Sequence, residues 1–285
     1  MIMKIGFIGQ GWIGKNYAND FEARGYDVVR YSLETEYIDN KEKIKECPIV
    51  FIAVPTPTTE QGFDDSYVRS ALGVVEAGTS VVIKSTLLPG TTQALQKAFP
   101  ELFVFHSPEF LVEKTAAYDA AHPNRNIIGI PEDGEVYRAK AHEILSVLPD
   151  APYTRIMDAR DAEFVKYAGN CFLFTKVIFM NMLYDVVLQS GGTWDAVRDA
   201  LIHDPRIGVS HTEPVNAGGR GAGGHCFIKD FEAFRRLYSE HVGDPLGDAI
   251  LSAEADKNIE LLRASGKDLD LVRGVYGEKS LHAHD

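Results

Sequence analysis

Cysteine is scarce, with only Cys47, Cys171 and Cys226 among 285 residues. An odd number of widely spaced cysteines does not make a disulfide framework, so at least one thiol is free to react. Tryptophan is rarer still, and no basic block offsets a formal net charge of −12. That balance argues against nonspecific binding to nucleic acid, although backbone amides and a few Lys or Arg can still hold a small anion. No apolar run is expected to approach the ~18 residues that span a membrane. The opening MIMKIGFIGQG lacks the charged flank, apolar stretch and small-residue cleavage site of a leader peptide. A cytoplasmic protein without a membrane partner is the expectation.

What is present is the composition of a globular chain, 45% apolar and 25% charged, long enough for roughly two domains. Short β-rich runs at 4–8, 27–31, 48–54, 80–84, 102–105 and 126–130 alternate with helical stretches. This pattern predicts an α/β fold with a Rossmann-like doubly wound parallel sheet. From Asp158 the pattern changes: Asp158 and Asp161 can cap a long helix through KYAGNCFLFTKVIFMNMLYDVVLQ that stops at Gly191 and Gly192. Everything beyond reads as helix and loop. The expected domains are 1–157, binding a dinucleotide, and 158–285, holding the long helix and a smaller all-α domain. The final SLHAHD reads as a frayed tail.

Gly9, Gly11 and Gly14 form G-x-G-x-x-G between the first strand and a helix that begins near Trp12. In this motif the first glycine permits the turn, the second admits a pyrophosphate, and the third lets helix and strand lie close. Ser32 stands where an acidic residue usually holds the adenosine ribose, with Glu34 two positions on and Arg30 on the preceding strand. A serine can bond either a ribose hydroxyl or a 2′-phosphate, so NAD is favoured and NADP stays open.

The stretch GGRGAGGHCFIKDFEAFRRLY crowds Gly218, Gly219, Gly221, Gly223 and Gly224 ahead of Cys226. So many glycines predict a loop whose amides approach something closely. A helix starting at or near Asp230 would put the thiol by a helix N-terminus with Lys229 beside it, and both features favour a thiolate nucleophile. A structural cysteine beside a flexible loop is the alternative at this point. Cys47 and Cys171, in apolar surroundings, read as packing residues.

Six blocks in order, GFIGQGWIG, IVFIAVPTPTTEQGFDDSYV, IKSTLLPGTT, HSPEFLVEKTAAYD, DAEFVKYAGNCFLFTKVIFMN and DPRIG…GAGGHCFIKD, resemble the UDP-glucose/GDP-mannose dehydrogenase family. The resemblance implies two successive hydride transfers to NAD from one carbon of a nucleotide sugar. It makes Cys226 the nucleophile that passes through a thiohemiacetal and a thioester. Lys166 and Asn170, four apart on the long helix, become donors to a developing oxyanion. Thr86, Glu113 and Asp230 would handle the attacking water and its protons, with Glu109 as a second acid. Trp12, Ile13, Val54, Pro55, Thr56 and Thr86 join the three glycines and Ser32 along the cofactor. Phe110, Leu111 and Gly223 join Lys166 and Asn170 at the sugar, and Arg206 would reach across a homodimer formed through the long helix. No metal site is implied.

The family normally continues into a third, nucleotide-binding domain, which this sequence is expected to lack. Residues 209–222, VSHTEPVNAGGRGA, look longer than the family's loop and add His211 and Arg220 as a candidate phosphate cradle. Two other functions stay open. One is a single-step dehydrogenase of a smaller hydroxy acid or sugar that does not need Cys226, and the other is a non-catalytic protein that binds NAD or a sugar.

Overall fold

The computed structural model describes residues 3–281, so the end of the tail, 282–285, lies outside the described residues. The chain divides into two compact units, one of Met1–Pro57 and Asp64–Lys166, the other of Thr58–Phe63 and Tyr167–Asp285. The elements begin with β1 (Lys4–Ile8), α1 (Trp12–Ala23), β2 (Asp27–Tyr31), α2 (Lys41–Ile44) and β3 (Ile49–Ile52). A two-residue ribbon, β4 (Thr58–Thr59) and β5 (Gly62–Phe63), belongs to the second unit. The first unit resumes with α3 (Ser66–Leu72), β6 (Ser80–Ile83), α4 (Thr91–Ala98), β7 (Phe103–His106) and α5 (Ala116–Ala121). It ends with β8 (Asn126–Ile130), α6 (Glu135–Val147), β9 (Thr154–Asp158) and the start of α7 (Ala159–Gln189).

Seven strands form the sheet of the first unit in the order β2-β1-β3-β6-β7-β8-β9. The central strands β3 and β6 are buried throughout, as the continuous apolar runs of a helix-covered parallel sheet require. β1 pairs in parallel with both β2 and β3, so the strand order reverses at β1/β3. That switch point is where open α/β sheets bind ligands, beyond the carboxyl ends of the strands. One departure from the expected parallel sheet is the antiparallel pairing of β8 to β7, through His106 and Gly129. The other is β9, an unforeseen edge strand: TRIMD leaves its side chains partly or wholly exposed and so lacks an apolar run.

Aromatic packing anchors this unit. Phe7 stacks on Phe51 at 5.1 Å and meets Phe21 edge-on at 5.2 Å. All three rings are buried, so truncating any one to alanine costs about 3–5 kcal/mol.

Asp158 accepts a hydrogen bond from the Arg160 amide at 2.8 Å as α7 begins. The helix ends in a left-handed cap: Gly191 has φ +79°, and Gly192 N–H donates to Val187 O at 2.8 Å. Its composition corrects the expectation about membrane spans, because an 18-residue window has a mean hydropathy of 1.7, enough to cross a membrane by length and composition alone. One face instead packs inward within the second unit, burying Cys171, Phe174, Val177 and Ile178. Another leaves Phe172, Phe179, Met182 and Val186 exposed along one stripe.

The second unit continues with α8 (Trp194–Ile202), the ribbon β10 (Val215–Asn216) and β11 (Gly219–Arg220), α9 (Gly224–His241), α10 (Pro245–Ser265) and α11 (Leu269–Tyr276). Among the described residues its regular structure is helical apart from its two ribbons. Phe174 of α7 stacks on Phe231 of α9 at 3.8 Å, and Ile228, Leu262, Val272 and Val275 close a second cluster among α9, α10 and α11. α10 starts where Asp244 accepts from Gly247 N–H at 2.8 Å with Pro245 in its first turn. Within the described part of the tail, a 3-10 turn covers Glu278–Leu281, and Ser280 Oγ donates to Gly277 O at 2.7 Å.

Candidate active site

In the first unit the glycine turn sits at the β1/β3 switch point. Gly9 has φ +92°, and a Cβ there would lie 2.2 Å from Ala53 O; a Cβ on Gly14 would lie 2.0 Å from Gly9 O. These two glycines let β1, the end of β3 and α1 converge. Gly11 is different: a Cβ there meets nothing within 4 Å, and as N-cap of α1 it offers no side-chain cap. The first-turn amides of α1 are thus left without a side-chain acceptor, as a pyrophosphate requires. The turn fits a dinucleotide.

Around it, Trp12 is 39% exposed at the first position of α1, while Ile13 packs into the core. Ser85 Oγ accepts from Val54 N–H at 3.0 Å and donates to Val54 O at 2.7 Å, tying together the ends of β3 and β6. Pro55 is exposed, and Thr56 and Thr86 are buried. Ser32 follows β2, and its Oγ accepts from Glu34 N–H. Arg30 is engaged by Glu22, Asn19 and Gln10 on the α1 side.

Beyond the ends of β6 and β7 lies a buried polar cluster. Lys166 Nζ donates to Glu109 Oε1 at 2.6 Å and to Glu109 O at 2.9 Å, while Glu109 Oε2 accepts from Leu111 N–H at 2.8 Å. Lys84 Nζ donates to Ser107 Oγ at 3.0 Å and stands 4.5 Å over the Tyr17 ring. Burial lowers Lys84 to about 8, opposed by the Glu109 charge. Burial likewise lowers His106 to about 3, helped by Lys84, so its ring stays neutral. Glu163 accepts from Gly90 N–H at 2.5 Å and from Thr92 N–H and Oγ1–H at 2.8 and 2.6 Å, and burial raises it to about 7. Glu113 is exposed in a 3-10 turn. Phe110 carries the Arg125 guanidinium 3.6 Å from its ring centroid, and Leu111 packs on the core.

Lys84, Ser85, Ser107 and Glu163 escaped the sequence reading. The signal for the first two was a lysine and a serine closing the apolar strand VVIKS, where a polar side chain must find a buried partner.

In the second unit α9 starts at Gly224, earlier than expected, so Cys226 is the third helical residue and half-buried, and Asp230 lies one turn further in. Asp230 is fully buried; Oδ1 accepts from Lys229 Nζ and Oδ2 from Asn170 Nδ2, each at 2.6 Å. The Lys229 ammonium is therefore held by Asp230. The other two cysteines are buried, with burial pushing Cys47 up to about 12 and Cys171 higher still.

The glycine loop proves to approach the chain itself. A Cβ on Gly223 would lie 2.1 Å from Asp268 Oδ2, and one on Gly219 2.8 Å from Ser265 Oγ. Arg220 is clamped to α7, donating to Asn181 Oδ1 at 2.8 Å, to Asn181 O and to Asp185. His211, with φ +60°, is lowered by burial and by Lys176. Arg206 is 87% exposed in its side chain and paired with Asp204.

Residues 30–146 match the NAD binding domain of the UDP-glucose/GDP-mannose dehydrogenase family, and residues 160–255 match its central domain. The Bacillus subtilis protein YtcA is 28% identical over 97% of this chain and 70% of its own length. UDP-glucose 6-dehydrogenase YwqF of the same organism is 33% identical over 73% of this chain, which covers 48% of YwqF. A UDP-glucose dehydrogenase structure from the hyperthermophilic archaeon Pyrobaculum islandicum aligns at a TM-score of 0.75 and 28% identity, covering 93% of this chain and 71% of that one. The first of these matches identifies the cofactor as NAD.

Proposed function

Because the chain belongs to the UDP-glucose/GDP-mannose dehydrogenase family, we propose that it oxidises the primary alcohol of a nucleotide sugar to the carboxylate, in the manner of UDP-glucose to UDP-glucuronate. NAD, held at the Gly9–Gly14 turn, would supply the hydride acceptor for both oxidations of the substrate carbon. In the first round the hydroxyl loses its proton as hydride leaves, giving an aldehyde. The Cys226 sulfur adds to that carbonyl carbon while a proton passes to its oxygen, forming a thiohemiacetal. Loss of a second hydride and of the hydroxyl proton leaves a thioester, which water cleaves to the acid and the free thiol.

Lys166 and Asn170 act in this scheme as donors to the reacting oxygen. Asp230, Thr86 and Glu113 handle the water and its proton, and Glu109, paired to Lys166, is the buried second acid. One observation carries the reading: Cys226 and Asp230 stand a turn apart on α9, and the buried carboxylate of Asp230 is gripped by Asn170 and Lys229. A nucleophile and an oriented acid on one rigid helix face are what acyl transfer needs. The exposed stripe of α7 supports a homodimer through that helix, and an odd number of widely spaced cysteines agrees with a reducing cytoplasm.

A screen of UDP- and GDP-sugars with NAD and NADP tests the proposal. The expected result is turnover with NAD on one nucleotide sugar, with two NADH released per acid formed. One NADH per turnover on a small hydroxy acid, with no action on any nucleotide sugar, would refute it.

A further inference from the structure

Gly223, the N-cap of α9, has no side chain to satisfy the orphan amides of the first turn. The acceptor arrives instead from 44 residues downstream: Asp268 Oδ2 accepts from Gly224 N–H at 2.8 Å. Asp268 is itself the N-cap of α11, where an aspartate ordinarily caps its own helix. It makes no such bond there. Its backbone is left-handed, φ +53°.

The same stretch grips the whole approach to α9. Asn258, buried on α10, accepts from Ala222 N–H at 2.7 Å and donates to Ala222 O at 3.0 Å. Ser265 Oγ accepts from Arg220 N–H at 3.0 Å, and Lys267 Nζ donates to Gly221 O at 3.2 Å. These anchors, 258–268, lie past the end of the central-domain match at 255.

We propose that Asp268 is a positioning residue that caps α9 in trans and so fixes where Cys226 stands. The inference rests on the reading of Cys226 as the nucleophile. A helix without its cap frays in the first turn, and Cys226, third in α9, is inside that turn. Gly223 is glycine because the carboxylate occupies the space a Cβ would need. Loss of the cap costs rate at the sulfur and leaves the Gly9–Gly14 turn of the first unit untouched.

The test compares Asp268→Gly and Asp268→Asn in the full chain. Glycine keeps the left-handed backbone without strain and removes the carboxylate; asparagine tolerates the same φ and retains an acceptor oxygen. In Asp268→Gly, hydrogen exchange at the amides of 224–228 is expected to rise about tenfold, and kcat to fall about tenfold with the KM for NAD unchanged. Asp268→Asn should return both to within about threefold of the parent. Gly223→Ala should behave like Asp268→Gly, and the double variant should be no worse than either single one. Unchanged exchange in a folded Asp268→Gly, or failure of asparagine to rescue, would overturn the proposal. Exchange needs no turnover, so absence of activity in the parent would defeat the functional reading while the cap is still decided.

Discussion

Replacing Glu163 by glutamine removes a buried carboxyl that burial raises from 4.5 to about 7, against hydrogen bonds from Thr92 and Gly90 that lower it, with Asp158 adding to the rise. The folded chain holds this proton more tightly than the unfolded chain does. Stability from this group is therefore complete below the unfolded value and is lost as pH rises through the folded value. The displacement corresponds to about 3 kcal/mol. Urea unfolding of the parent and Glu163→Gln, at intervals from about pH 4.5 to pH 8, isolates the effect because other titrating groups cancel in the difference. The parent should lose about 3 kcal/mol relative to the variant across that window and change little above it. A flat difference, or a parent that gains on the variant as pH rises, would mean that the three hydrogen bonds outweigh burial, and the reasoning would fail.

Lys166→Met leaves the Glu109 carboxylate buried without its 2.6 Å partner, so denaturant unfolding should register a loss of about 3–5 kcal/mol. Gly14→Ala forces a methyl to within 2.0 Å of the Gly9 carbonyl; calorimetry should find the NAD site weakened and the fold poorer by about 1–3 kcal/mol. Charges at Phe179 and Val186, both more than half exposed on α7, should convert a dimer to a monomer in sedimentation velocity without loss of helicity. A parent that sediments as a monomer contradicts the dimer.

The parts of this fold that were legible in the sequence are those fixed by neighbours. Gly9, Gly11 and Gly14 answer to a turn a few residues long, and the runs in β1, β3 and β6 are apolar because both sheet faces are covered. The ends of α7 were readable for the same reason, since Asp158 and the glycine pair act locally. The start of α9 was not, because its cap comes from Asp268, far along the chain. β9 hid behind its arginine and aspartate at a sheet edge. The glycine loop announced close approach correctly but not its object, which includes Ser265 and Asp268. Arg220 looked free in the sequence, and only tertiary structure brings it to Asn181 and Asp185. Lys166 and Glu109 were singled out by resemblance alone, for nothing in their spacing predicts a buried ion pair 57 residues apart.

The account turns on the sulfur of Cys226, and the most direct measurement is the acid formed per NADH by the parent and by Cys226→Ser on the best nucleotide sugar. The parent should release one acid for every two NADH, and the serine variant should fold, bind NAD and make no acid. A serine variant that still delivers the carboxylate at a comparable rate would contradict it.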